Sequence, residues 1–113
     1  MLRLRRTLFL EADKLKSYLG FSIKSGKAIF GLDSLCEYTK VVRLVIVCST
    51  VSDNSLKKVS ELCEYKKWKM VQLNDDLVLG TLISRENCKI IGLTDKNLSS
   101  AVLELGGLFH YNN

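Results

Sequence analysis

The sequence predicts an α/β fold, a three-layer α/β/α sandwich around a central mixed four-stranded sheet. Three observations carry that expectation. Segments of helical and strand period alternate along the chain; the strand candidates are short apolar runs of the kind buried on both faces; and no proline, repeat or low-complexity linker interrupts the 113 residues. A chain of this length is one ordinary domain. Its 47% hydrophobic and 26% charged residues are the balance of a chain that folds alone.

In chain order, Leu15, Tyr18, Leu19 and Ile23 recur at helical spacing and Gly26 offers a left-handed stop, which predicts a helix over about 11–25. Lys27 to Phe30 is a short strand, and Gly31 breaks it. Asp33 or Ser34 then caps a short helix carrying Leu35, Tyr38 and Val41. Arg43 to Cys48, with LVIVC inside it, is a β-branched run for the middle of a sheet. Ser52 or Asp53 caps a helix with Leu56, Val59, Leu62 and Cys63 on one face. A strand follows over Trp68 to Leu73, with Trp68 covering core at its start. Asn74 caps a helix carrying Leu77, Val78, Thr81 and Leu82, and Asp75 and Asp76 favour the dipole of its first turn. The last strand is Cys88 to Thr94. Asp95 caps the last helix, with Leu98, Ala101, Val102 and Leu105, which Gly106 and Gly107 end. The single domain covers 11–105, between a basic extension at 1–10 and a tail at 106–113. MLRLRR reads as a flexible basic arm, as an added edge strand from its L-R-L alternation, or as an incidental start.

Composition excludes several classes. The longest apolar run, Leu44 to Cys48, is far short of the roughly 20 residues of a membrane span. MLRLRRTLFL lacks both the apolar length and the cleavage site of a signal peptide, so the expected location is the cytoplasm, with no membrane partner. Cys36, Cys48, Cys63 and Cys88 form no CxxC pair, and the one histidine, His110, lies in the tail. Zinc spacing is therefore missing, and the cysteines read as reduced core thiols. With no GxGxxG, GxxxxGK[ST], GxSxG or HExxH, the expectation is no catalysis, no cofactor and no metal.

The net charge is +5. Within the first 30 residues Arg3, Arg5, Arg6, Lys14, Lys16, Lys24 and Lys27 face only Glu11 and Asp13, so the whole excess falls there. Localised positive charge is the footprint of a polyanion. In SIKSGKAIFGLDS (22–34), a helix end, a short strand and a glycine turn into a helix would set Lys24, Lys27 and the N–H groups after Gly31 along one edge. That is a cradle for an RNA backbone, because Gly31 admits close approach and a helix start supplies donors.

LGFSIKSGKAIFG (19–31), RLVIVCSTVSDNSLKKVSELCEYKKWKMVQL (43–73), Leu79-Gly80 and KIIGLTDKNLSSAVL (89–103) together resemble the ribosomal-protein superfamily of archaeal L-seven-Ae and eukaryotic L-thirty-e. The likeness is greatest to its small bacterial YlxQ-like branch and covers about 11–105. It implies binding of structured RNA, typically the kink-turn with its extruded base. The family signature of glycine, a variable residue and Asn-Glu, with a lysine three residues on, falls here on Gly31, Leu32, Asp33, Ser34 and Glu37. Only the glycine is kept: Asp33 accepts where an amide also donates, and Glu37 repels phosphate where lysine attracts it. Gly26 and Lys27 match the family's Gly-Lys, with Lys24 just upstream. The loop that holds the extruded base reads SRENC (84–88), giving Arg85, Glu86 and Asn87, with Arg85 for a phosphate or a stacked base. The resemblance therefore implies a monomeric, non-catalytic binder of structured, ribosomal RNA, with ribosomal or other proteins as further partners. The departures at Asp33, Ser34 and Glu37 carry a second reading, a protein-interaction module that has lost kink-turn recognition.

Overall fold

The structure is a computed structural model; it describes residues 2–110, with side chains from Leu10 to Phe109. The elements are α1 (Leu2–Lys24), β1 (Ala28–Phe30), α2 (Leu32–Glu37), β2 (Leu44–Val47), α3 (Asp53–Lys66), β3 (Met70–Leu73), α4 (Leu79–Leu82), β4 (Ile90–Leu93), α5 (Lys96–Leu103), a 3₁₀ turn (Gly106–Leu108) and β5 (Phe109–His110). The predicted alternation of helix and strand holds through α5, and the four predicted strands form the mixed sheet.

The sheet runs β1-β4-β2-β3, with β5 added beside β3. Only β2 and β3 are parallel; β4 runs antiparallel to both of its neighbours, β1 and β2. Strands β1, β2 and β3 therefore finish at the same end of the sheet, where β4 begins.

Strand β2 shows why its sequence carries no alternation of polar and apolar residues. Leu44 and Ile46 enter the core under α1, α4 and α5, while Val45 and Val47 enter the core under α2 and α3, and all four are fully buried. Both faces are covered, so every position is apolar. Leu15 and Leu19 of α1, Leu79 of α4 and Val102 of α5 close the first layer; Leu35 of α2 and Val59 of α3 close the second. Each such side chain contributes roughly 1.5–3 kcal/mol by leaving water. Gly92 in β4 has a specific reason. A Cβ there would sit 2.6 Å from Leu35 Cδ2 and 3.3 Å from Val42 Cγ1, so its absence lets α2 lie close on the sheet.

Several local expectations are corrected. Residues 2–10 extend α1 instead of forming an arm or an edge strand. No side chain caps α2: it starts from Gly31, and Asp33 and Ser34 lie inside it. Asn74 does not cap α4, which begins five residues later. Its side-chain amide donates to the Gly107 carbonyl at 2.9 Å, and Asp75 and Asp76 lie in the exposed turn between. Residues 106–110 are not a loose tail, because Leu108 and Phe109 are buried and β5 pairs with Gln72 and Leu73. Tyr111 to Asn113 lie outside the described residues. Cys36 is exposed, unlike a core thiol; Cys48 and Cys63 are buried and Cys88 is partly so. Val41 is exposed as well. The capping roles of Ser52 and Asp95 hold, with Ser52 Oγ accepting from Ser55 N at 3.2 Å and Asp95 Oδ1 from Leu98 N at 2.9 Å.

Candidate nucleic-acid interface

Where β1, β2 and β3 finish, three loops meet. Gly31 leaves β1 with φ 84° and ψ 161°, a region essentially reserved for glycine. Its N–H donates to the Ile90 carbonyl at 2.9 Å, and its own carbonyl accepts from Leu35 N at 3.2 Å, which turns the chain from strand into α2 within one residue.

Loop 84–88 is built from α4. Ser84 adopts the left-handed conformation (φ 58°), and Arg85 N donates back to the Gly80 carbonyl at 2.8 Å, closing the helix with a Schellman-type bond. Gly80 is required for that closure: a Cβ would stand 2.6 Å from the Arg85 carbonyl oxygen and 2.8 Å from that of Glu86. The Arg85 guanidinium lies 3.9 Å from the centre of the Phe30 ring at the end of β1. One guanidinium face is thus occupied by Phe30, and the N–H edge keeps its capacity for a phosphate.

The third loop was not foreseen. Thr50, Val51 and Ser52 come from the β2–α3 connection, Ser55 from the first turn of α3, and Lys89 precedes β4. Lys89 Nζ donates to Thr50 Oγ1 at 2.7 Å, and Thr50 Oγ1 lies 3.3 Å from Cys48 Sγ. Burial pushes the Cys48 thiol up, but the Thr50 hydrogen bonds, with smaller help from Leu79 and the Lys89 charge, outweigh it and hold the thiol below its ordinary value. Cys88 goes the other way: burial raises it, against smaller lowering effects of the Ile90 backbone and of the Arg85 charge. A cleft of about 250 Å³ opens between these loops, lined by Gly31, Leu32, Val51, Ser52, Ser55 and residues 87–90. It offers hydroxyls, the Asn87 amide and the Lys89 ammonium over an apolar floor of Leu32, Val51 and Ile90.

Gly31, Leu32 and Asn87 therefore line one cleft, with Arg85 and Glu86 in the loop beside it. Asp33, Ser34 and Glu37 are exposed along α2, the first two at the start of that helix. Lys24, Gly26 and Lys27 are not part of it. Gly26 (φ 72°) ends α1 through a bond from Lys27 N to the Ser22 carbonyl at 2.9 Å, and Lys27 Nζ pairs with Asp95 Oδ2 at 3.2 Å. Lys27 and Gly31 bracket β1, so they stand on the order of 13 Å apart at opposite ends of the sheet. The expected common edge for these groups does not form.

Residues 13–104 match the Ribosomal protein L7Ae/L30e/S12e/Gadd45 family. The chain belongs to this family. It is 27% identical over 89 residues to the RNA-binding protein YlxQ of Bacillus subtilis (strain 168), across 77% of this chain and 89% of that one, which places it in the YlxQ-like branch. The fold also matches a protein of unknown function from Bacillus halodurans C, with a TM-score of 0.66 and 21% identity over 80% of this chain and 94% of that chain. Both likenesses span nearly the whole of the compared proteins. Among the described residues no group of three or more His, Cys, Asp and Glu side chains is placed to hold a metal, and no helix is long and apolar enough to cross a membrane.

Proposed function

We propose that this protein binds structured RNA without catalysing a reaction, and that the three-loop cleft is the reading surface. The observation that carries this is the convergence of Gly31–Leu32, the start of α3 and residues 87–90 around one cleft at the carboxyl ends of three strands, where open α/β sheets bind their ligands. Its volume falls below the roughly 300–1,000 Å³ of small-molecule and cofactor sites, and suits a single extruded base held between loops. Lys89 and Arg85 supply the phosphate contacts, and Ser52, Ser55 and Asn87 supply donors and acceptors for a base edge. Family membership and the name of the YlxQ relative support an RNA partner. The kink-turn, as the RNA of the family's signature, and a place on the ribosome in the cytoplasm are the finer parts of the proposal.

Asp33, Ser34 and Glu37 favour the second reading. Two exposed carboxylates on α2 repel phosphate and suit a protein partner instead. A titration against a kink-turn RNA and a matched straight duplex, at two salt concentrations, separates the two. A preference for the bent RNA that survives added salt and falls in Lys89→Ala and Arg85→Ala is expected. Equal binding to both RNAs, erased by salt, would overturn RNA reading at this cleft and leave the protein-interaction module.

A further inference from the structure

The basic residues are not gathered at the cleft. Among the described side chains its end of the sheet carries Arg85 and Lys89 against Glu11, Asp33, Asp53, Asp75, Asp76 and Glu86, with Lys57 and Lys58 one turn into α3. The opposite end is the reverse. There the strand ends lie side by side: Thr94 N donates to the Lys27 carbonyl, Arg43 N to the Leu93 carbonyl, and Val45 N to the Lys69 carbonyl, at 2.8–3.0 Å. These bonds fix Lys27, Arg43 and Lys69 in a row across β1, β4, β2 and β3, about 14 Å long at the spacing of neighbouring strands. The helix ends at the same edge add Lys24, Lys66 and Lys67, the loop before β2 adds Lys40 and the start of α5 adds Lys96; all of these side chains are exposed. The carboxylates nearby are Asp95, already paired with Lys27, and Glu37 and Glu64 in the last turns of α2 and α3.

Helix macrodipoles account for cations at the ends of α1 and α3, where Lys24 and Lys66 sit. They do not account for Arg43, Lys69 or Lys40, which follow no helix closely enough to benefit. The rim also holds aromatic side chains. Tyr65 is 82% exposed beside Lys66 and Lys67, and Lys66 Nζ lies 5.9 Å over the ring of Trp68. An exposed ring among lysines is a stacking platform on a phosphate-binding surface.

We infer that this rim, centred on Arg43, Lys67 and Lys69 with Tyr65 beside them, is a second RNA-binding surface that grips the sugar–phosphate backbone at the end of the sheet opposite the cleft. It reads no sequence and no bend; it supplies the salt-dependent part of affinity, and the cleft supplies selectivity. The inference rests on the proposal that RNA is the ligand, and its test is separable from that of the cleft. Anisotropy titrations of the full chain, across a salt series, use a straight RNA duplex with a single-stranded flank and the kink-turn RNA. Variants are Arg43→Gln/Lys67→Gln/Lys69→Gln, Tyr65→Ala, and Lys57→Gln/Lys58→Gln, which removes charge from exposed α3 positions before the rim.

In the rim triple variant the slope of log K against log salt is expected to fall by roughly 2–3, with equal loss for both RNAs and any kink-turn preference intact. Tyr65→Ala is expected to lose at least five-fold on the flanked duplex. The Lys57/Lys58 variant is expected to keep the parental slope to within about one unit. An unchanged slope in the triple variant, or an equal fall in the Lys57/Lys58 variant, would overturn the rim. An unchanged Tyr65→Ala would overturn the platform. Failure of the cleft shows differently, as a lost kink-turn preference with the rim slope retained.

Discussion

Gly31 and Gly80 serve the cleft for different physical reasons. Gly31 has empty space where a Cβ would go, so its requirement is conformational and comes from φ 84° alone. Gly80 has ordinary backbone angles and no space, because the Arg85 and Glu86 carbonyls lie on it. Gly80→Ala should therefore destabilise by about 1–3 kcal/mol and displace loop 84–88, since backbone oxygens cannot rotate away as a side chain can. Urea unfolding measures the first effect, and amide chemical shifts over 84–89 the second; a neutral substitution would mean that the loop sits elsewhere. The glycine turn at 31 was legible in the sequence as a strand breaker. Gly80 was visible only as half of the Leu79-Gly80 match, because its neighbours are five and six residues away and depend on the left-handed Ser84.

At the scale of elements, α3 links stability to the cleft. Its hydroxyl cap, Ser52, accepts from Ser55 N, and both residues line the cleft. Ser52→Ala should cost about 1 kcal/mol and leave the Ser55 N–H open to other acceptors. Thermal unfolding reads the cost, and exchange of the Ser55 amide reads the freed donor. The cap was legible because a serine preceded a clean helical period. The start of α4 was not: Asn74-Asp75-Asp76 has the composition of a helix N-terminus, but Asn74 spends its amide on the Gly107 carbonyl, and the chain reaches Val78 before it coils. The role of 106–110 was hidden for the same reason, since GGLFHYNN has no period until β3 is there to pair with it.

The whole molecule sets the pH range of stability. Asp95 is held below its ordinary 3.8 by the Leu98 amide first and Lys27 second, so its contribution is complete above 3.8 and lost as pH falls through the lower folded value. Burial raises the Cys63 thiol from 9.0 to about 11, so the fold favours the neutral thiol; that contribution is complete below 9.0 and lost as pH rises through about 11. Stability should be flat between these limits with respect to both groups, and Cys63→Ala should remove the alkaline loss of roughly 2–3 kcal/mol while lowering the plateau. Chemical denaturation at pH 7, 9 and 10.5 checks this; an unchanged alkaline slope would refute the assignment to Cys63. By itself the sequence determined the number and order of the elements up to α5, the apolar faces that bury them and the family, because those follow from local periodicity and from residue types in register. Only the tertiary structure decided which residues share an end of the sheet. The extended β1 holds Lys24 and Lys27 away from Gly31, the antiparallel insertion of β4 between β1 and β2 brings Lys89 and Thr50 to it, and the parallel pairing of β2 with β3 sets Arg43 beside Lys67 and Lys69 at the far end. Charge counted along the chain could not show this, since strand order, not sequence distance, sets which charges stand together.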